Sequence, residues 1–207
     1  MSKKLVSDRK ECSVVCPIVY GSQAFYFGKK QNEQATHRWY LYLRSPNNED
    51  LSTFVSKVAF SLHPSFADPV RVITQPPFEV TEMGWGEFEA HIRIYFRDPD
   101  EQPLDVLHHI RLYIQQQQGP NVIQVLPQNL KKPVVSETYD EIVFTNPTVK
   151  FHGLLMGYVP PATTSTDPKA EHYTVFDEDR DLLLLSQAST HLAQELSIAK
   201  SRLAELS

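Results

Sequence analysis

The chain has 207 residues, a net charge of −5 and 41% apolar residues, which leaves room for one domain of about 150 residues with a real core, plus an appendage. The acidic balance argues against a protein that grips nucleic acid by neutralising phosphates, and it suits basic partners such as lysine- and arginine-rich tails. Cys12 and Cys16 are the only cysteines; two are too few for a disulfide framework, and Cys-x3-Cys without neighbouring ligands is a poor zinc site, so neither a metal nor another cofactor is expected. The start, MSKKLVSDRK, has no apolar stretch of the signal-peptide kind, and no run approaches membrane-spanning length. A soluble intracellular protein with reduced thiols and no direct membrane binding is the expectation.

Residues 1–13 read as a flexible lead. From 14 to 150, prolines, β-branched residues and aromatics favour strands and loops. Candidate strands are Val15–Tyr20, His37–Leu43, Phe54–Leu62, Val70–Ile73, two runs on either side of Trp85, Leu107–Tyr113 and Glu141–Phe144. Turn signals separate them at Pro46-Asn47-Asn48, Pro64, Pro76-Pro77, Asp98-Pro99-Asp100 and Gly119-Pro120. The glutamine run Gln115–Gln118 reads as part of a hairpin loop. Short strands with a turn every dozen or so residues imply an all-β protein, a sandwich of two antiparallel sheets.

Residues 151–176 contain the Pro/Thr/Ser-rich stretch GYVPPATTSTDPKA and read as a linker. From 177 to 207 there is neither Pro nor Gly. Here Leu185, Ser189, Leu192, Leu196, Ala199, Leu203 and Leu206 follow alternating steps of four and three, a seam that Leu182 extends. The spacing predicts a C-terminal α-helix roughly 45 Å long. Such a helix forms a coiled coil with its own copy or a partner through residues 182–206, or lies as an amphipathic helix on the sandwich.

Two segments carry the chemistry. In FEVTEMGWGEFEAHIRIYF (78–96), Phe88, Ala90, Ile92, Ile94 and Phe96 alternate with polar or exposed positions, the period of a half-buried strand. Just before it, the turn Met83-Gly84-Trp85-Gly86 places a large flat ring between two glycines, where the backbone has freedom to come close to another group. Trp85 either caps the core or is presented at the domain's end. In the second segment, Val58, Phe60 and Leu62 alternate along a strand that Pro64 stops, so His63, Ser65 and Phe66 sit on a loop.

Together, VYGSQAFYFGKK (19–30), THRW (36–39), PNNEDLSTFV (46–55), LHPSF (62–66), PPFEVTEMGWGEFE (76–89) and YDEIVF (139–144) resemble the YEATS family, most closely the branch containing the glioma-amplified YEATS protein and its yeast relative. The resemblance implies an immunoglobulin-like β-sandwich that reads acylated lysine on core-histone tails, acetyl-lysine first and crotonyl-lysine as a further candidate. It also implies a nuclear protein that partners other subunits of chromatin-remodelling or histone acetyltransferase complexes. Carried over residue by residue, the acyl-lysine slot comprises His63, Ser65, Phe66, Gly84, Trp85, Gly86 and Phe88. Some members place an aromatic where this chain has Ala35, so a preference for long acyl groups that needs a third ring does not carry over. An acidic residue that some relatives use to hold a tail arginine has no clear match near Arg111.

These residue types suit the ligand. Acylation replaces a hydrated ammonium with a flat neutral amide, which Phe66 and Trp85 can sandwich for about 0.5–1.5 kcal/mol beyond area burial. The amide still needs an acceptor and a donor, and leaving either unpaired costs about 1–3 kcal/mol. Ser65, oriented by His63, can supply the acceptor, and the Trp85 backbone N–H the donor. An enzyme is disfavoured because Ser65 lies outside any Gly-x-Ser-x-Gly elbow. His108 and His109, adjacent on a strand, face opposite ways and cannot share a metal. A scaffold subunit without acyl-lysine binding is the remaining alternative.

Overall fold

Alternation along the chain becomes two packed layers in the computed structural model, which describes residues 8–28, 35–47, 49–119, 122–125, 130, 132–157 and 168–205. Among the described residues ten strands form: β1 (Ser13–Tyr26), β2 (His37–Arg44), β3 (Val55–Ser61), β4 (Val70–Ile73), β5 (Phe78–Gly84), β6 (Phe88–Phe96), β7 (Leu104–Ile110), β8 (Gln115–Gly119), β9 (Val122–Val125) and β10 (Val134–Thr145). Two helices follow, α1 (Val149–Met156) and α2 (Glu178–Glu205). One four-stranded sheet has the order β10-β1-β2-β5, the other β4-β3-β6-β7, and β8 pairs with β9. All these pairings are antiparallel. The two-sheet antiparallel sandwich is therefore the architecture, as expected.

The core lies between the sheets. In β6, Ala90, Ile92 and Ile94 are fully buried, while Glu89 and Arg93 face solvent. Trp39 and Leu41 of β2 and Phe60 of β3 meet them from the other strands. Full burial of one such side chain contributes about 1.5–3 kcal/mol relative to exposure.

Several elements differ from the sequence reading. β1 runs past Tyr20 to Tyr26, although Gly21, Ser22 and Gln23 look like a strand end. Ser22 and Gln23 are nonetheless buried, because the Ser22 hydroxyl meets His108 Nε2 at 3.0 Å and Gln23 Nε2 donates to the Lys169 carbonyl at 3.2 Å. Gly21 fits for a different reason: a Cβ there would lie 2.5 Å from the Ser136 carbonyl oxygen of β10. β10 begins at Val134, seven residues before Glu141, paired along β1 from Ala24↔Val134 to Ser13↔Thr145. The glutamine run is itself a strand, β8, paired with β9, and not a loop, because ladder bonds are made by backbone groups that every one of these residues carries. Pro120 of the Gly119-Pro120 signal and Leu206 of the leucine seam lie outside the described residues, as do residues 1–7 and 158–167.

Backbone hydrogen bonds tie the described residues at the ends of the sandwich to it. The Lys10 N–H donates to the Pro147 carbonyl, Asn146 N–H to Cys12 and Val149 N–H to Asp8. Helix α1 starts on Thr148, whose hydroxyl accepts from the Phe151 N–H at 3.1 Å. Phe151 and Leu155 then enter the core, with the Phe151 ring 5.1 Å from Phe144. Residues 168–174 form a strap on the same unit. Its Thr174 carbonyl accepts from Arg44 Nη2 at 3.2 Å, its Thr174 N–H donates to Glu137 at 2.7 Å, and the Tyr173 ring lies 4.2 Å beneath the Arg44 guanidinium. The Arg44–Glu137 pair is itself buried, at 3.0 Å.

A second compact unit begins at Val175. Asp177 caps α2, accepting from the Arg180 N–H at 3.1 Å, and Glu178, Asp179 and Asp181 sit in the first turn, where they favour the positive end of the helix dipole. The predicted helix is present, and its described side chains are exposed. Among the described residues no helix is long and apolar enough to cross a membrane.

Candidate functional site

Two loops at one end of the sandwich make the site. The first follows β3: the Leu62 N–H donates to the Pro69 carbonyl at 2.7 Å and closes the loop's base, and the Phe66 N–H donates to the His63 carbonyl at 3.1 Å to form a tight turn. The second is the short connection Trp85–Glu87 between β5 and β6. Met83 and Gly84, read from sequence as part of that turn, are the end of β5, where Gly84 pairs with His37. An ion pair of 2.8 Å from Arg71, after the first loop, to Glu82, before the second, links the two.

Between the loops lies an open groove of about 620 Å³. His63, Ser65, Phe66, Gly84, Trp85, Gly86 and Phe88 all line it, so the structure brings together the full set singled out from the sequence. Ala67, Met83 and Glu87 line it as well. Trp85 is 64% exposed and is presented on the turn, which decides against the core-cap reading of this residue. Phe66 is different. Its ring sits 5.7 Å from both Trp39 and Phe88, edge-to-face with the first, and so belongs partly to the core. Phe88, 5.6 Å from Trp39 and 6.1 Å from His63, forms the floor. Trp39 beneath that floor is the support that sequence reasoning missed; its place on the buried side of β2 was the available signal.

The polar groups are oriented by their local bonds. Ser65 Oγ lies 2.9 Å from His63 Nδ1, and the Ser65 backbone N–H donates to the same nitrogen at 3.2 Å. A backbone N–H can only donate, so Nδ1 is the unprotonated nitrogen and the hydroxyl also donates to it. The lone pairs of Ser65 Oγ are thereby free to accept. Across the groove, the Gly84 carbonyl accepts from the Thr36 N–H at 3.0 Å. In a trans peptide the N–H points opposite to the carbonyl, so the Trp85 N–H is directed away from β2. A Cβ on Gly84 would lie 3.3 Å from Trp39 Nε1, so a larger residue there requires that buried ring to give by a few tenths of an ångström.

Behind the groove, His37 is buried, with Nδ1 2.8 Å from the Thr36 hydroxyl and rings of Tyr26 and Tyr113 at 5.2 Å. Burial pushes its pKa below the ordinary histidine value, and the Glu87 carboxylate opposes that shift. Its burial and its contacts with Thr36, Tyr26 and Tyr113 make it a structural residue of the start of β2. His108 points inward and His109 outward, so the pair does not converge.

A two-sheet sandwich with an aromatic groove between its end loops, an oriented serine on one side and a directed backbone N–H on the other, is suited to hold a flat group that has one donor and one acceptor. The YEATS family model matches residues 34–114. Over 143 residues the chain is 48% identical to transcription initiation factor TFIID subunit 14b of Arabidopsis thaliana, covering 69% of this chain and 51% of that one. Over 158 residues it is 43% identical to the AF-9 homolog of Kluyveromyces lactis, covering 71% and 70%. Thus it spans about half of the plant relative and over two thirds of the fungal one. Among solved structures, the Yaf9 YEATS domain bound to H3K27ac is similar at a TM-score of 0.59 and 38% identity, covering 72% of this chain and 96% of that one. The Yaf9 YEATS domain recognising an H3K122suc peptide gives 0.58 and 40%, with the same coverage. The chain belongs to the YEATS family.

Proposed function

We propose that this protein is a histone-tail reader that binds acylated lysine in the groove between the His63–Phe66 and Trp85–Glu87 loops. The observation that carries the reading is the Ser65 hydroxyl, turned by His63 into an acceptor beside the exposed ring of Trp85. In this reading the lysine amide slides between Phe66 and Trp85 and rests on Phe88. Ser65 Oγ accepts its N–H, and the Trp85 N–H donates to the acyl oxygen. Gly84 and Gly86 keep the backbone close, and His63 holds Ser65.

An unmodified lysine would lose its hydration in this groove and leave the facing donor unmatched, which disfavours it. Binding and not bond-breaking is the task. The groove is open, which suits acyl groups of more than one length; acetyl is the first candidate and crotonyl the second. The two Yaf9 complexes, with acetylated and succinylated H3 peptides, support this reading by likeness.

The module acts in the nucleus, as a subunit of a chromatin-remodelling or histone acetyltransferase complex; the TFIID-subunit and AF-9 homolog names of its relatives support a place in such an assembly. Helix α2 serves attachment. Leu182, Leu185, Leu192, Leu196 and Leu203 are all exposed along one seam, which suits pairing with a second helix.

Calorimetry with acetylated and unmodified histone-tail peptides tests the reading. A single side chain in an open slot gives about −5 to −8 kcal/mol, high-micromolar to micromolar affinity. Equal affinity for the two peptides would sink it.

A further inference from the structure

We propose that Glu87 is a positioning residue for the groove: its carboxylate clamps the Trp85–Glu87 turn to the segment after β7 and so holds the Trp85 peptide in place. The inference rests on the reader function above and adds a residue to it.

The β6–β7 ladder ends at the pair Phe88↔Ile110. Beyond it, Glu87 is no longer in a strand, yet Leu112 and Tyr113 opposite still carry backbone N–H groups. The side chain takes over where the backbone stops. Glu87 Oε1 accepts from the Leu112 N–H at 2.8 Å and from the Tyr113 N–H at 3.0 Å. Its Oε2 lies 3.6 Å from Arg111 Nη1, and the side chain is only 17% exposed. Bonds from two N–H groups to one ionised oxygen are stronger than neutral ones, and here they are sheltered from water.

The clamp reaches the tryptophan from both directions. Glu87 is two residues after Trp85, so fixing its carboxylate limits the path of the turn. Tyr113, held by that same carboxylate, directs its hydroxyl at the Trp85 carbonyl, 3.4 Å away. The Tyr113 ring packs edge-on against buried His37 at 5.2 Å, and Thr36, next to His37, holds the Gly84 carbonyl. Gly84, Trp85 and Glu87 are thus tied to one framework. A short connection with Gly86 at its centre would otherwise sample many conformations, and that freedom would have to be lost on binding.

The test compares Glu87→Ala, Glu87→Gln and Tyr113→Phe in the full chain, using an acetyl-lysine histone H3 tail peptide, with thermal unfolding and 15N relaxation of the Trp85 amide alongside. Glu87→Ala is expected to weaken binding roughly tenfold and to lower the order parameter of the Trp85 amide. Glu87→Gln keeps an oxygen that can accept both N–H bonds but loses the charge, so it should bind more weakly than wild type and clearly more tightly than Glu87→Ala. Tyr113→Phe should fall between them and keep the fold if the alanine variant does not. Wild-type binding by Glu87→Ala, or a Gln variant as weak as the Ala variant, would overturn the clamp. If the wild-type chain binds no acylated peptide, the reader function fails, and the Trp85 order parameter still decides the clamp: no change in Glu87→Ala overturns it.

Discussion

Trp85 and Phe66 look alike in the sequence, as two aromatics on two loops, and the structure separates them. Trp85 is mostly exposed, so Trp85→Ala should abolish acetyl-lysine binding in calorimetry while moving the melting temperature by no more than about 3 °C, because little apolar area is lost from the interior. Phe66 packs on Trp39 and Phe88, so Phe66→Ala should lose binding and stability together. Ile92→Ala is the contrast: the side chain is fully buried between the sheets, and its truncation should cost about 2–5 kcal/mol in chemical denaturation with no direct effect on the groove. A Trp85→Ala variant that melts as early as Ile92→Ala would return Trp85 to the core. The groove was legible because proline at 64 and glycines at 84 and 86 mark where strands stop, and the polar and aromatic residues lie beside those marks. The share that Phe66 has in the core was not legible, because it depends on a ring from β2 that is distant in sequence.

At the level of elements, strands with one buried face could be read from alternation, as in β6, while those whose inward residues are polar could not. The continuation of β1 through Ser22 and Gln23 and the full length of β10 are held by partners on other elements, which no local pattern reveals. The same partners make the fold sensitive to acid. His108 on β7 meets Ser22 on β1 across the sandwich, and burial, aided by the nearby His109 and Arg111 charges, pushes its pKa down to about 4. Since the unfolded chain takes up that proton near pH 6.5, the stabilisation is complete above that point and is lost as pH falls from about 6.5 toward 4.

Glu137 follows at lower pH. Burial pushes its carboxyl up, but hydrogen bonds from Arg44, the Thr174 N–H and Tyr42 outweigh that and hold it below the usual range, so its contribution is present above about pH 4.5 and lost beneath it. Urea unfolding from pH 7 to 5 should show stability falling by up to about 1.4 kcal/mol per unit for His108, and His108→Gln should flatten that limb. The buried His37 contributes in the same direction and remains in the variant. A wild-type profile flat across this range would refute the assignment.

For the whole molecule, the question is what α2 does with its leucines. The helix has 28 residues, about 42 Å, and its described side chains are exposed. An isolated helix of this kind is only marginally stable in water, and capping by Asp177 with three acids in the first turn contributes little more than about 1–2 kcal/mol. Covering Leu185, Leu192, Leu196 and Leu203 by a second helix would supply the missing stabilisation. Ser189 and Ala199 in the seam weaken a symmetric pair, so self-association of moderate, concentration-dependent strength is expected.

The truncation that tests this must respect the strap. A chain ending before residue 168 would strip Thr174 and Tyr173 from Arg44 and Glu137 and damage the sandwich, whereas one ending at Thr174 keeps those contacts. Sedimentation of the full chain should show dimer rising with concentration, and the chain ending at Thr174 should remain monomeric. Pairing would join two acyl-lysine grooves, and doubly acetylated tails should then bind the full chain more tightly than the truncated one, if residues between the two units let both sites be reached. Should both chains sediment as monomers at high concentration, self-pairing is ruled out, and the leucine seam is left for a helix of another subunit.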